Sequence, residues 1–178
     1  MKTWLLLSLF ITGSAFAQIE GRWLSENKDG EVEMYKEGNK YFGKLVRAKR
    51  NKETNNLDVH NPDESEHKNS VVGKVIVKDL KKDGDEWNGG TIYDPKSGKT
   101  YKSKAHLEKD GKLLKLRGYI GFSFIGRTSE WTRIEDPSQG IQGDDVVSMP
   151  DEAMPGVRPV VPATDSAGAM PAPATTRP

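Results

Sequence analysis

The chain has 178 residues, 34% of them hydrophobic and 30% charged, and it contains no Cys. Twenty-seven Lys and Arg against 26 Asp and Glu leave a formal charge of +1. A disulfide framework, a thiol nucleophile and a cysteine metal site are all excluded, and a charge so nearly balanced does not make a nucleic-acid surface.

The N-terminus reads as an address. Met1-Lys2 gives a positive start, Trp4 to Ile11 is apolar but too short to span a bilayer, and Ala15-Phe16-Ala17 is a small-x-small cleavage pattern. Residues 1–17 are therefore expected to be a signal peptide cleaved after Ala17, sending the rest to the periplasm or outside the cell. No Cys follows the run to carry a lipid anchor. No later stretch approaches membrane-spanning length, so no transmembrane segment is expected.

From Gln18 to Glu135 turn signals punctuate short runs. Asp29-Gly30, Gly38-Asn39, Asp83-Gly84 and Asp110-Gly111 are hairpin pairs, and Asp94-Pro95-Lys96-Ser97-Gly98 is a longer turn. Between them the sequence predicts eight strands, roughly 22–26, 31–36, 40–48, 72–78, 86–93, 99–107, 112–120 and 128–134. The period is two: Tyr101, Ser103, Ala105 and Leu107 share one face, with Lys102, Lys104 and His106 on the other. One face is buried and the other is wet, so the sheet is antiparallel. No helical periodicity supplies a cover for the inner face, so the sheet must close on itself. The expected fold is all-β, a single antiparallel up-and-down barrel of about eight strands. Gly43, Gly73, Gly89, Gly90 and Gly118 within strand-like runs fit a tightly curled sheet, as bends or as room for side chains opposite.

After Ile134 the composition changes. Eight of the ten prolines lie at or beyond Pro137, and no aromatic residue follows Trp131. Acidic residues there outnumber basic ones, leaving 18–135 slightly basic. Such a segment buries too little apolar surface to offset the entropy of ordering, so 136–178 is expected to be a disordered tail, either a spacer or dispensable.

Two sets of residues carry a resemblance. Gly21-Arg22-Trp23 looks like the G-x-W of the lipocalins. A longer set runs through Asp83-Gly84-Asp85-Glu86-Trp87-Asn88-Gly89-Gly90, Ile92-Tyr93-Asp94-Pro95, Gly111 to Gly121, Gly126-Arg127-Thr128 and Trp131-Thr132-Arg133. Together they resemble a bacterial exported family classed as domain of unknown function 2147, over about 19–134. The resemblance implies a lipocalin- or calycin-like barrel with a pocket and no assigned ligand. Many members of the family it resembles carry a cysteine pair in the loop matching 51–70. This chain has none there, so no redox or metal role comes with the resemblance.

The resemblance also implies that Trp23 plugs one barrel end with a late arginine lying across it. Arg127 and Arg133 are the candidates, and Trp131 shares their face, so one of the two has Trp131 to stack on instead. Trp87, Tyr93, Tyr101, Tyr119, Phe122 and Phe124 are the pocket candidates, aromatic walls with Tyr hydroxyls to orient a ligand. A solidly filled core would use the same residues. His60 and His67, with Asp63, Glu64 and Glu66, lie in one polar loop, a weak metal candidate that reads better as a solvated loop. No nucleophile elbow, phosphate loop or catalytic cluster is present to nominate, and no cofactor is implied. The expected function is non-enzymatic binding of a small hydrophobic molecule or lipid in the envelope. The alternative is an envelope interaction protein with a filled barrel.

Overall fold

Alternating apolar and charged residues broken by Gly-containing turns give antiparallel hairpins, and in the computed structural model, which describes residues 18–122 and 124–150, each hairpin is hydrogen-bonded to the next. The strands are β1 (Gly21–Leu24), β2 (Gly30–Glu37), β3 (Lys40–Lys49), β4 (Val75–Asp83), β5 (Glu86–Asp94), β6 (Lys99–Glu108), β7 (Leu113–Tyr119), β8 (Gly126–Arg133) and β9 (Val146–Ser148). Strands β1 to β8 pair in chain order, and β1 also pairs with β8, so the sheet closes into an eight-stranded up-and-down barrel. The closing seam is short: only Trp23 with Arg133 and Leu24 with Thr132 are in register.

Strand direction sorts the connections. The 18–20 segment and the turns after β2, β4 and β6 lie at one end. The turns after β1, β5 and β7 and the long 50–74 connection lie at the other, which we call the mouth. The expected fourth strand, 72–78, is shifted: β4 begins at Val75 and runs to the Asp83 turn. Residues 71–74 instead hydrogen-bond to Leu45 and Asn56 as the close of the 50–74 connection.

Trp23, Met34, Tyr41, Leu80, Trp87 and Leu114 fill the end away from the mouth. Full burial of such side chains is worth about 1.5–3 kcal/mol each, so this end holds much of the stability. Two glycines make that density possible. A Cβ on Gly43 would lie 2.7 Å from Met34 Sδ and 3.0 Å from Val77, and one on Gly90 would press on Leu80 and the Lys78 carbonyl. These positions give room to side chains opposite, as the sequence suggested.

The barrel domain does not stop at Glu135, and the boundary drawn there is too early. Asp136 caps a 3₁₀ turn, Pro137–Gln139, through a capping box with Gln139. Ile141 is buried, and its N–H donates to Glu31 Oε1 at 2.6 Å. Strand β9 then pairs with Arg47, Ala48 and Lys49 of β3. Residues 136–149 thus form a strap on the outer wall from the filled end to the mouth. The apolar residues that anchor it are too few and too widely spaced to show a period. The rest of the expected tail, 151–178, and the expected signal peptide lie outside the described residues.

Candidate functional site

At the filled end Trp23 is fully buried, and its indole N–H donates to the Ile19 carbonyl at 2.8 Å. The Arg133 guanidinium lies over the ring, 4.2 Å from its centroid. Its other donors go to the carbonyls of Gly111 (2.7 Å), Glu20 (2.8 Å) and Gln18. A cation over an indole, with its N–H groups used by backbone, sews residues 18–20 and the β6–β7 turn onto the barrel base. Arg133 is therefore the closing arginine. Arg127 is not: it sits at the mouth end of β8 and pairs with Glu26 at 3.1 Å, bridging the seam where the β1–β8 ladder has ended. Trp131 is not part of the closure either. It lies on the wall above the base, with its indole N–H on Ser129 Oγ at 3.0 Å.

The mouth half is hollow. A cavity of about 640 Å³ is lined by Ile92, Tyr101, Leu116, Gly118, Ile125 and Trp131, among others. A second, of about 560 Å³, lies beside it under the 50–74 connection and includes Val32, Leu45, Leu57 and Val71. Both are walled by Asp29, Ile76, Asp94, Pro95, Lys96 and Trp131, so they are lobes of one hollow. Between them Lys96 reaches from the β5–β6 turn to Asp29 on the β1–β2 turn, Nζ to Oδ2 2.7 Å. Burial works against ionisation of Asp29, but Lys96 and Ser25 outweigh it and hold its carboxyl below the ordinary range. The interior is thus apolar below and charged at the lip.

The 50–74 connection is pinned as a cover through buried Asn56, Asp58 and Val71, while its polar stretch from His60 to Ser70 stays largely solvated. Asp58 is fully buried within it and accepts from Lys74, from Tyr93 Oη at 2.5 Å and from Asn61 Nδ2 at 2.7 Å. Burial opposes the Asp58 charge, yet these donors outweigh it and hold the carboxyl below its usual range. Tyr93 responds oppositely: burial and the Asp58 carboxylate raise its hydroxyl pKa well above the ordinary value. Lys74 also reaches Glu66 at 2.9 Å. Gly98, at φ +68°, lets the β5–β6 turn lie against the His60 backbone.

The candidate residues therefore separate. Tyr101 lines the larger lobe from the inner face of β6, whereas Tyr119 borders it only at the rim, opposite Lys102 on the outer face. Tyr93 lines it too, but its hydroxyl is committed to Asp58 and does not await a ligand. Trp87 is a core residue below the hollow, edge-on to Tyr41 at 6.0 Å, and is not among the lining residues. Its register partner Ala105 sits on the inward face near the filled end. Phe122 and Phe124 point outward, 70% and 76% exposed. Their loop crosses the rim, and its flanking Ile120 and Ile125 are the ones that reach the cavity. His60 is exposed at the edge of the second lobe, and His67 Nε2 contacts the Asn61 carbonyl at 2.8 Å. Among the described residues no three His, Cys, Asp or Glu come together to hold a metal ion.

Sequence reading missed Asp58 and the Asp29–Lys96 pair. The one available signal for the former was length, since long connections without secondary structure are uncommon unless they cover something.

No curated protein matches the chain. A solved structure described as protein HP1028 from the human pathogen Helicobacter pylori, belonging to the lipocalin family, is similar with a TM-score of 0.59. Identity is 21%, over 69% of this chain and 87% of that one. The likeness is one of fold, and it establishes the barrel as lipocalin-like. Residues 21–133, from the G-x-W glycine to the arginine across the tryptophan, match the family model described as an uncharacterized protein conserved in bacteria (DUF2147), and the chain belongs to that family.

Proposed function

We propose that this chain is a non-catalytic binding protein that holds a small apolar or amphipathic molecule in the mouth half of its barrel. The observation that carries this is the contrast inside one barrel. Large side chains pack the base solid, while above Trp131 and Leu116 a hollow of about 640 Å³ remains, apolar in its depth and edged by charge. That volume lies in the range of small-molecule sites. An apolar portion would lie against Ile92, Leu116 and Trp131, with a polar end at Lys96 and Arg127. The apolar sequence over 1–17 supports a site of action outside the cytoplasm, in the periplasm or beyond.

The reading is tested by titrating an environment-sensitive fatty-acid probe into the purified protein and into Gly118→Leu. Gly118 faces inward from β7, and a Cβ there would meet Ile92 at 3.3 Å and Tyr101 at 3.5 Å, so leucine would grow into the larger lobe. Saturable probe binding that falls at least about tenfold in Gly118→Leu, at unchanged circular dichroism, is the expected result. Equal binding by both proteins would place the probe elsewhere and remove the reading.

A further inference from the structure

The β7–β8 loop has a feature that ligand binding does not use. Phe122 and Phe124 are stacked on each other, ring centroids 5.6 Å apart and planes at 6°, on the outside of the rim. Ile120 and Ile125 beside them are 65% and 58% exposed. The loop backbone holds this display in place. Ile120 N–H donates to the Ile125 carbonyl at 3.2 Å, Ile125 N–H donates to the Phe122 carbonyl at 3.0 Å, and the Arg117 guanidinium donates to the Phe124 carbonyl at 3.1 Å. Two stacked phenylalanines on one short turn, flanked by the part-exposed Ile120 and Ile125 of the cavity lip, make an apolar display of a kind that soluble surfaces avoid unless something covers it.

The surroundings indicate what covers it. On the outer face of β6 and β7, Lys102 stands opposite Tyr119 and Lys104 opposite Arg117, directly below the loop. Arg127 lies on the rim at the loop's far end. The carboxylates of this wall, Glu108 and Glu130, lie toward the filled end and are both drawn to Lys115. The apolar tip therefore stands above Lys102 and Lys104, while Arg127 at its far end shares its charge with Glu26. Aromatic side chains favour the boundary between headgroups and acyl chains, and basic side chains favour an anionic surface.

We propose that the β7–β8 loop docks this edge of the barrel mouth onto an anionic phospholipid surface, with Phe122 and Phe124 entering the interface and Lys102 and Lys104 facing the headgroups. Docked in this way, the hollow opens toward the bilayer, which would then be the source or the destination of its ligand. That last clause rests on the binding reading above; the docking itself does not.

The test uses the protein purified after export, its N-terminus read by mass spectrometry so that residues 1–17 do not contribute. Co-sedimentation is measured with vesicles of mixed phosphatidylglycerol and phosphatidylcholine, and with phosphatidylcholine alone. The protein is expected to bind the anionic vesicles, to release with rising salt, and to bind at least about tenfold more weakly as Phe122→Ser/Phe124→Ser. Lys102→Gln and Lys104→Gln should each weaken binding up to about fivefold. Gly118→Leu should bind vesicles like the parent whether or not the cavity takes a ligand, which keeps the two readings separable. Failure of the parent to bind anionic vesicles would overturn the proposal, as would equal binding by Phe122→Ser/Phe124→Ser. A dimer that these two substitutions dissolve, with no vesicle binding, would assign the patch to a second copy of the chain and also overturn it.

Discussion

Arg127 and Arg133 lie on the same strand, and their alternation looks equivalent in sequence, yet burial makes them unequal. Arg133 is half-buried with three carbonyls and an indole around it. Arg127 is 80% exposed and holds one carboxylate. Arg133→Ala leaves those carbonyls and the Trp23 face uncovered and should cost about 2–4 kcal/mol by urea denaturation, whereas Arg127→Ala should cost less than about 1 kcal/mol. Asp58 gives the pH prediction. Its carboxyl pKa is lowered in the fold, so its contribution is fully present above the ordinary value of 3.8 and is lost as pH falls through the lower folded value. The urea midpoint should therefore drop in acid below about pH 4, and Asp58→Asn should flatten that limb. At neutral pH Asp58→Asn should be less stable by about 1–3 kcal/mol, because Lys74 loses its buried partner. An unchanged acid limb in Asp58→Asn would mean that other carboxylates dominate.

Among the elements, the strap is the one whose removal is most informative. Glu31 is a buried carboxylate on the outer face of β2, satisfied by Arg47 at 3.1 Å and by the Ile141 N–H. A chain ending at Glu135 loses Ile141, β9 and that second partner. Its melting temperature should fall by several degrees, which differential scanning calorimetry against the full chain would show. An identical melt would make the strap an ornament. The strap also marks the limit of what the sequence reveals. The eight barrel strands are legible because turn glycines and a period of two are local signals, and their observed bounds differ from the expected ones mostly at the ends. Glu31 alternates like a solvent-facing residue, and nothing local says that a segment more than a hundred residues later will cover it. Tyr93 illustrates the same limit within the site. Its place among the pocket aromatics is legible, but its partner Asp58 comes from a connection with no period at all. Phe122 and Phe124 read as pocket residues from their aromatic character alone; which way a loop turns at a barrel rim is set by Arg117 and the loop's own hydrogen bonds.

At the scale of the whole molecule, the barrel is two structures stacked on one axis. The lower half behaves as a folding core, held by Trp23, Trp87, Leu80 and Leu114. The upper half is a walled space, kept open by small residues such as Gly118 and lidded by the Asp58 cover. The fold is lipocalin-like, but a shared fold does not fix a ligand, so the claim of binding stands on the hollow itself. The most direct measurement is native mass spectrometry of the chain as its own cells produce it, purified without detergent, alongside Gly118→Leu. A co-purifying mass of small-molecule or lipid size, lost on denaturation and absent from Gly118→Leu, is what the account predicts. A bare protein mass for both, with no binding of any member of a fatty-acid and lipid panel, would contradict it and leave a barrel that acts only through its surface.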